Sequence, residues 1–505
     1  MRPEKGMRMK TVNTVLLLVL LLTATGCKQI TELFQGGNAV TEKLVCHIDS
    51  ETAIGQPVSS PDSRHVAYVA KAGAKRLVMV DGKEEKPYDF IDATSLTFSP
   101  DSHRVVYAAT AGGKQFEVVG GKEGKTYDET RSFIFSPDSR RLAYAARVGN
   151  KWLVVVDGKE EMPYDIIAEP SMTFSPDSHR VAYLARTGEH WVAVVDGKEG
   201  KPYDIAQGLI FSPDSQHVAY VANIEGKEVL LVDGKKLASY DGISSHTIGD
   251  MNVLYSPDGK SMAYGAQIND QWIVVVNGKH GKFYDAIGGL IFSPDSQQVA
   301  YAAKSDDKWT AVENGTEGKA YDAISRLTFS PDGRRLAYLA DANVKKVLVV
   351  DGAEEKPYAS IVEADSVKQV HNCQEDACWD AYYIENPIVF SPDGKRVAYA
   401  AKVGEKRFDA NEKWSAVVNG IEGRPYDGIG GLNFSPNSRH VAYVAGAGTK
   451  QFVVVDGNEG RQYDGLVKGT ECAFDSANVL HYLAKQNTSS DGKSYDIVLV
   501  EETIQ

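Results

Sequence analysis

Ten copies of one turn motif dominate this chain of 505 residues. The motif runs Phe-Ser-Pro-Asp, then Ser or Gly, then two polar residues and an apolar Val-Ala-Tyr run. An example is Phe135-Ser136-Pro137-Asp138-Ser139 followed by Leu142-Ala143-Tyr144. Its prolines are Pro61, Pro100, Pro137, Pro176, Pro213, Pro257, Pro294, Pro331, Pro392 and Pro436, and most of the intervals are 37 or 39 residues. A period of about 40 residues built from short strands marks a propeller, because each unit must stack on its neighbours to bury its apolar faces. The repeat overrides the division into roughly three domains that the length alone suggests.

One repeat, residues 171–205, shows how the strands follow. Met172-Thr173-Phe174 reads as a short strand and Ser175-Pro176-Asp177-Ser178 as a turn, in which proline fixes φ and Asp and Ser bond neighbouring amides. Val181 to Ala185 is a second strand and Trp191 to Val195 a third, separated by a polar turn. Asp196-Gly197 is a tight hairpin signal. Lys201 to Ile205 reads as an outer strand that tolerates Pro202. Runs such as Leu153-Val154-Val155-Val156 are apolar without alternation, as in strands covered on both faces. Of 25 tyrosines, 21 fall at two repeat positions, and five of six tryptophans (Trp152, Trp191, Trp272, Trp309 and Trp414) share a third. Residues needed in every unit are packing residues.

The expected fold class is therefore all-β, a β-propeller of about eleven four-stranded blades, closed as one wide ring or two packed rings. Eleven exceeds the usual four to eight blades. That favours two rings, with a boundary near the long interval at residues 238–252. The eleventh repeat is degenerate: Cys472-Ala473-Phe474-Asp475-Ser476 replaces the motif, and only second and third strands follow. Lys43 to Asp49 is an orphan strand placed to complete that last blade and cover its edge.

The Phe-Ser-Pro-Asp-Gly/Ser turn with its Val-Ala-Tyr run resembles the WD40-like PD40 repeat of TolB-type periplasmic propellers, over about residues 44–505. Members of that family carry a separate α/β domain ahead of the propeller. No stretch here encodes one, so a role in the Tol system is not implied.

Residues 1–26 have the order of an export signal: basic Arg2 to Lys10, an apolar Val15 to Leu22, then small residues. The apolar run is short of the roughly 20 residues that span a bilayer. Ala24-Thr25-Gly26-Cys27 resembles the bacterial lipobox, with Ala24 where Leu is usual. The resemblance implies that Cys27 is lipidated and that the protein is an exported, membrane-anchored lipoprotein of the cell envelope. Lys28 in place of Asp points to the outer membrane and periplasm. The alternatives are a plain signal peptide cut near Ala24 and an uncleaved anchor. Residues 27–42 read as a tether, and residues 43–505 as the repeat region.

Four further cysteines in an exported chain suggest two bridges, Cys373–Cys378 and Cys46–Cys472, the second stapling the ring. The alternative is buried thiols. The only large insertion, Ile361 to Asn386, carries the one tryptophan outside the pattern. Trp379, Tyr382 and Tyr383 are its candidate binding residues, since aromatic residues on loops are plausible anchors. A disulfide-pinned cover is the plainer reading. His371, Cys373 and Cys378 fall short of a closed zinc site, and no metal or other cofactor is expected.

The formal net charge is −13, and about −16 without the +3 of residues 1–26. An acidic chain without a basic stripe excludes nucleic acid as a partner class. No nucleophile elbow, zinc-helix motif or phosphate loop is present. The expected function is a non-catalytic, membrane-tethered scaffold that binds an envelope protein or a surface polymer. The alternative is an envelope hydrolase or lyase with paired carboxylates at the propeller channel.

Overall fold

The repeat sequence folds as it does because each of its turns is chemically specified. A computed structural model describes residues 30–504 apart from 36–37, 170, 244–252, 362–387, 404–412, 468, 471 and 491. At each Asp-Gly hairpin both central residues have positive φ, as at Asp157 (53°) and Gly158 (78°). That is the mirror-image turn whose twist matches the flanking strands. At the Ser-Pro-Asp turn the following Ser also sits in the left-handed region, as with Ser139 at 61°. Among the described residues these turns connect 48 strands into eleven sheets. In the specimen blade the strands are Thr173–Phe174, Val181–Thr187, His190–Val195 and Lys198–Glu199. The expected outer strand is split there: after Lys198–Glu199 the chain rejoins the sheet at a single bridge from Tyr203 to Trp191.

The eleven blades form one propeller ring. The core is distributed as slabs between successive blades. Blades 1 and 2, for example, share Val69, Val78, Ile91 and Phe116. The expected boundary between two rings is overturned, because blades 5 and 6, which flank residues 244–252, share a slab of Val221, Leu230, Val253 and Ile273. A further slab joins the last blade to the first: Leu483, Ile497 and Leu499 of blade 11 meet Val66, Tyr68 and Leu77 of blade 1.

Repeated polar residues tie blade to blade at three radii. Near the Ser-Pro-Asp turns, the left-handed Ser accepts from the Asp amide of the preceding blade, as Ser139 Oγ does from Asp101 (2.8 Å) and Ser178 Oγ from Asp138 (3.0 Å). Two residues on, an Arg holds the Asp of its own hairpin and reaches the next turn. Arg141 Nε bonds Asp157 at 2.8 Å, and its Nη1 bonds the Ser178 and His179 carbonyls at 3.1 and 2.6 Å. At the rim, Lys and Tyr of one outer strand converge on a Glu of the next. Lys282 Nζ and Tyr284 Oη both bond Glu317 Oε1, at 2.6 and 2.9 Å.

The N-terminal strand closes the ring as expected. It spans Asn38–Asp49 and pairs antiparallel with Ser494–Thr503 of blade 11. Glu42 takes the rim role there, accepting from Tyr463 Oη (2.6 Å) and pairing with Arg461 (2.8 Å). The tether expected over residues 27–42 is corrected: Ile30–Gln35 forms a hairpin with Asn38–Asp49, so residues 30–35 and 38–42 belong to the sheet. The Cys46–Cys472 bridge is also corrected. Both residues are buried and neither is in a disulfide. Cys46 lies in the outer strand of blade 11 and Cys472 beside its innermost one, with two strands between. Three strand spacings are about 14 Å, twice the largest Cα separation a disulfide spans. The two thiols also face different slabs.

Candidate functional site: the inner strands and their channel

What the repeat does not fix is the innermost strand of each blade, the one nearest the central channel. In six blades this strand carries a β-bulge. The register shifts between Ile54 and Val58, Arg131 and Ile134, Gln207 and Ile210, Gly288 and Ile291, Ser325 and Thr328, and Gly430 and Asn433. A bulge leaves residues unpaired and re-aims their side chains. Several of these residues have positive φ, including Ser132 (57°), Gly289 (61°) and Arg326 (56°).

Two of the three longer interruptions enter at the same place, and the third, residues 404–412, separates Val397–Val403 from Lys413–Val418 in blade 9. In blade 9, Ile361 bridges Ala401 and Ile388 pairs with Tyr399, so the insertion leaves and rejoins the innermost strand. In blade 6, Gly242 bridges Gln267 and Val253 pairs with Tyr264, around residues 244–252. Cys373, Cys378, Trp379, Tyr382 and Tyr383 lie outside the described residues, as does Cys27.

One cleft opens beside these strands, between blades 7 and 8. Gly288, Gly289, Trp309, Ile324, Ser325 and Arg326 are among its lining residues. Its origin is legible by comparison with blade 3. There Arg131 lies over the Trp152 ring at 3.8 Å and pairs with Glu169 of blade 4 at 2.7 Å. In blade 7 Gly288 stands where Arg131 does, and space remains beside the Trp309 ring. An indole, a guanidinium and a hydroxyl around a shallow cleft suit a ring-shaped polar group, which stacks on the indole and takes hydrogen bonds at its edge.

The repeated aromatics pack blades, as expected. Trp309 packs with Ile324 and Leu327 of blade 8, and Trp414 with Ile429 and Leu432 of blade 10. Tyr164 and Tyr183 meet edge to face across an interface, with ring centroids 6.2 Å apart.

The histidines after the turns divide. His103 and His179 are exposed. His65 and His217 stand at the Arg position and bond the Asp of their own hairpins, Asp81 and Asp233, at 2.6 and 2.7 Å, as Arg141 does with Asp157.

The repeat carboxylates are engaged in the same way. The Ser136 hydroxyl and the Arg140 amide hold the Asp138 carboxyl below the usual range, and Lys151 with the Gly188 amide does so for Asp165. Glu117 departs from the pattern. It is buried at the blade 2–3 interface, and burial pushes its carboxyl above the ordinary range. Its Oε2 and the hydroxyls of Tyr127 and Tyr144 have no hydrogen-bond partner. Among the described residues no three His, Cys, Asp or Glu side chains converge as metal ligands, and no helix is long and apolar enough to cross a membrane.

No family model and no curated protein matches the chain. Solved structures show a partial likeness to it. A eukaryotic initiation factor is 11% identical with a TM-score of 0.38, over 72% of this chain and 97% of that one. TolB from Acinetobacter baumannii is 15% identical with a TM-score of 0.24, over 55% and 76%. The tricorn protease is 13% identical with a TM-score of 0.27, over 86% and 48%. Nothing about activity rests on these likenesses.

Proposed function

We propose that this protein is a non-catalytic scaffold of a bacterial cell envelope, anchored through lipidated Cys27, that binds an envelope protein or a surface polymer at its channel-facing inner strands. The observation that carries the reading is where the chain departs from its own repeat. The rim, clamp and turn residues recur because each ties one blade to the next. The interruptions at 244–252 and 362–387, the bulges and the cleft at Trp309 fall on innermost strands, and one further lengthening, residues 404–412, falls between the second and third strands of blade 9. A propeller offers a rigid frame, and function resides in what is grafted onto it.

The test is cross-linking and co-purification from native membranes, comparing the intact protein with a variant whose residues 362–387 are replaced by a short Gly-Ser loop. An envelope component recovered with the first and lost with the second supports the reading. If both forms come down alone, the insertion is not the binding element. A Cys27→Ser variant released from the membrane fraction supports the anchor, and one that stays bound overturns it.

A further inference from the structure

The seam between blade 11 and blade 1 is built differently from the other blade interfaces. In the Val-Ala-Tyr run the middle residue is a fully buried Ala, as with Ala67, Ala143, Ala182 and Ala219. In blade 11 that place is taken by His481, which is 3% exposed. Its Nδ1 lies 2.9 Å from Asp475 Oδ2, and its Nε2 lies 2.7 Å from the backbone carbonyl of Asp62 in blade 1. Arg64 departs from its equivalents too: the side chains of Arg140 and His179, at the same repeat position, are 86% and 83% exposed, but that of Arg64 is 32% exposed. Arg64 Nη2 bonds Asp475 Oδ2 at 2.6 Å, and Nη1 bonds Glu501 Oε1 at 3.1 Å. Glu501 is also the residue directly opposite His481 in the sheet.

We propose that His481 is held as an imidazolium and that this seam is a latch worked by a proton. Both close partners of the ring, a carboxylate and a carbonyl, can only accept, so both ring nitrogens must donate. A neutral ring that keeps the bond to the Asp62 carbonyl turns a lone pair toward Asp475 Oδ2. Among the described residues the donor facing that lone pair is Arg64 Nη2 at 3.5 Å, too long to replace the lost bond. Formal charge agrees. Arg64 against Asp475 and Glu501 leaves one negative charge, which the imidazolium cancels. The remaining charged neighbour, the Asp62 carboxyl, is turned to the Ser60 hydroxyl and the Arg64 amide.

The sign follows. A group bound in its charged, protonated form supports the folded seam at low pH and loses that support as the pH rises and the proton leaves. The apolar slab behind it is unaffected, so deprotonation loosens the turn-side half of the seam and leaves the blades intact.

The test uses the full chain with 15N-labelled histidine, the His481 signals being those missing from a His481→Gln variant. Two protonated ring nitrogens at pH 6 are expected. Hydrogen exchange, corrected for the intrinsic rate, should show protection of residues 60–66 and 475–482 falling at least tenfold between pH 6 and pH 9. Protection of the matching turn in blade 3, residues 136–142, should stay level. In Glu501→Gln, which removes one negative charge facing the ring, the loss should begin at lower pH. A neutral tautomer at pH 6, or seam protection that follows blade 3 across the range, overturns the latch. The wild-type hydrogen-exchange comparison with blade 3 decides this even if neither variant folds.

Discussion

At the scale of residues, the repeat is a set of compensated choices around the interface tyrosines. In three blades the second-strand Tyr donates to a Glu of the preceding outer strand: Tyr107 to Glu85, Tyr183 to Glu161 and Tyr399 to Glu355, each at 2.7 Å. In six other blades that Glu is replaced by Gly, and in blade 5 by Leu237. At Gly124 the vacated space is filled by the Glu117 carboxyl, to which an added Cβ would come within 1.8 Å. At Gly460 it is filled by Glu502, which accepts from Tyr482 at 2.7 Å. Gly124→Ala should therefore destabilise the protein by about 1–3 kcal/mol, the cost of overpacking a filled interface, as read from urea denaturation. Because Glu117 is held above its ordinary range, the native state binds that proton more tightly than the unfolded chain. Its contribution is most favourable at low pH and declines as the pH rises from the ordinary Glu value to the raised one. Glu117→Gln should raise the urea midpoint at pH 8 and barely change it at pH 4. The same gain at both pH values would contradict this account. The Ser/Gly alternation in the turn motif has an equally local cause. Gly333 and Gly394 lie under the Asp295 and Asp332 carboxyls, at 2.6 and 2.8 Å from where a Cβ would stand. Ser139→Ala should cost about 1 kcal/mol in thermal denaturation, because the Asp101 amide loses its acceptor.

At the scale of elements, the motif turns, the two inner strands of each blade and the completing N-terminal strand were legible in the sequence, since proline, Asp-Gly and unbroken apolar runs each dictate a backbone. The start of that N-terminal strand was not. Residues 38–42 mix Thr41 and Glu42 with Ala39 and Val40, and a pairing partner some 460 residues away is what makes them strand, while Ile30–Gln35 pairs only with that strand. Removing residues 30–49 should leave the Ser494–Thr503 edge unpaired and turn a monodisperse protein into aggregates on size-exclusion chromatography. The cysteines were misread for a related reason: sequence shows that two segments meet but not on which strand of a sheet each residue falls. Cys46 is buried, and its thiol is pushed up to about 12, by burial first and then by Asp81 and Asp496. It should resist a thiol reagent in the native state and react on unfolding.

At the scale of the whole molecule, blade number was readable but ring number was not. The interfaces share Val, Ala and Tyr, and although His280 replaces the rim Glu beside Tyr240 at blades 5 and 6, the slab there carries nothing that distinguishes neighbours in one ring from the ends of two. The candidate site was half legible. The insertion stands out as a break in period, but its place on an innermost strand depends on the pairing of Ile361 and Ile388. The cleft at Trp309 depends on a Gly in one blade standing where another has Arg.

The closing ladder also sets how the molecule would answer to force. Ala39 stands opposite Thr503, and Asp49 opposite Ser494. At that end Thr503 is the last paired residue, whereas Asn38 turns back into the Ile30–Gln35 strand. Tension applied between residues 38 and 503 would load the hydrogen bonds one pair at a time, as a zip, rather than all together in shear. A blade closed within a single hairpin has no such release point. This ring would be stiff to pressure on its faces and soft to a pull applied at residues 38 and 503, with failure starting at Ala39 and Thr503.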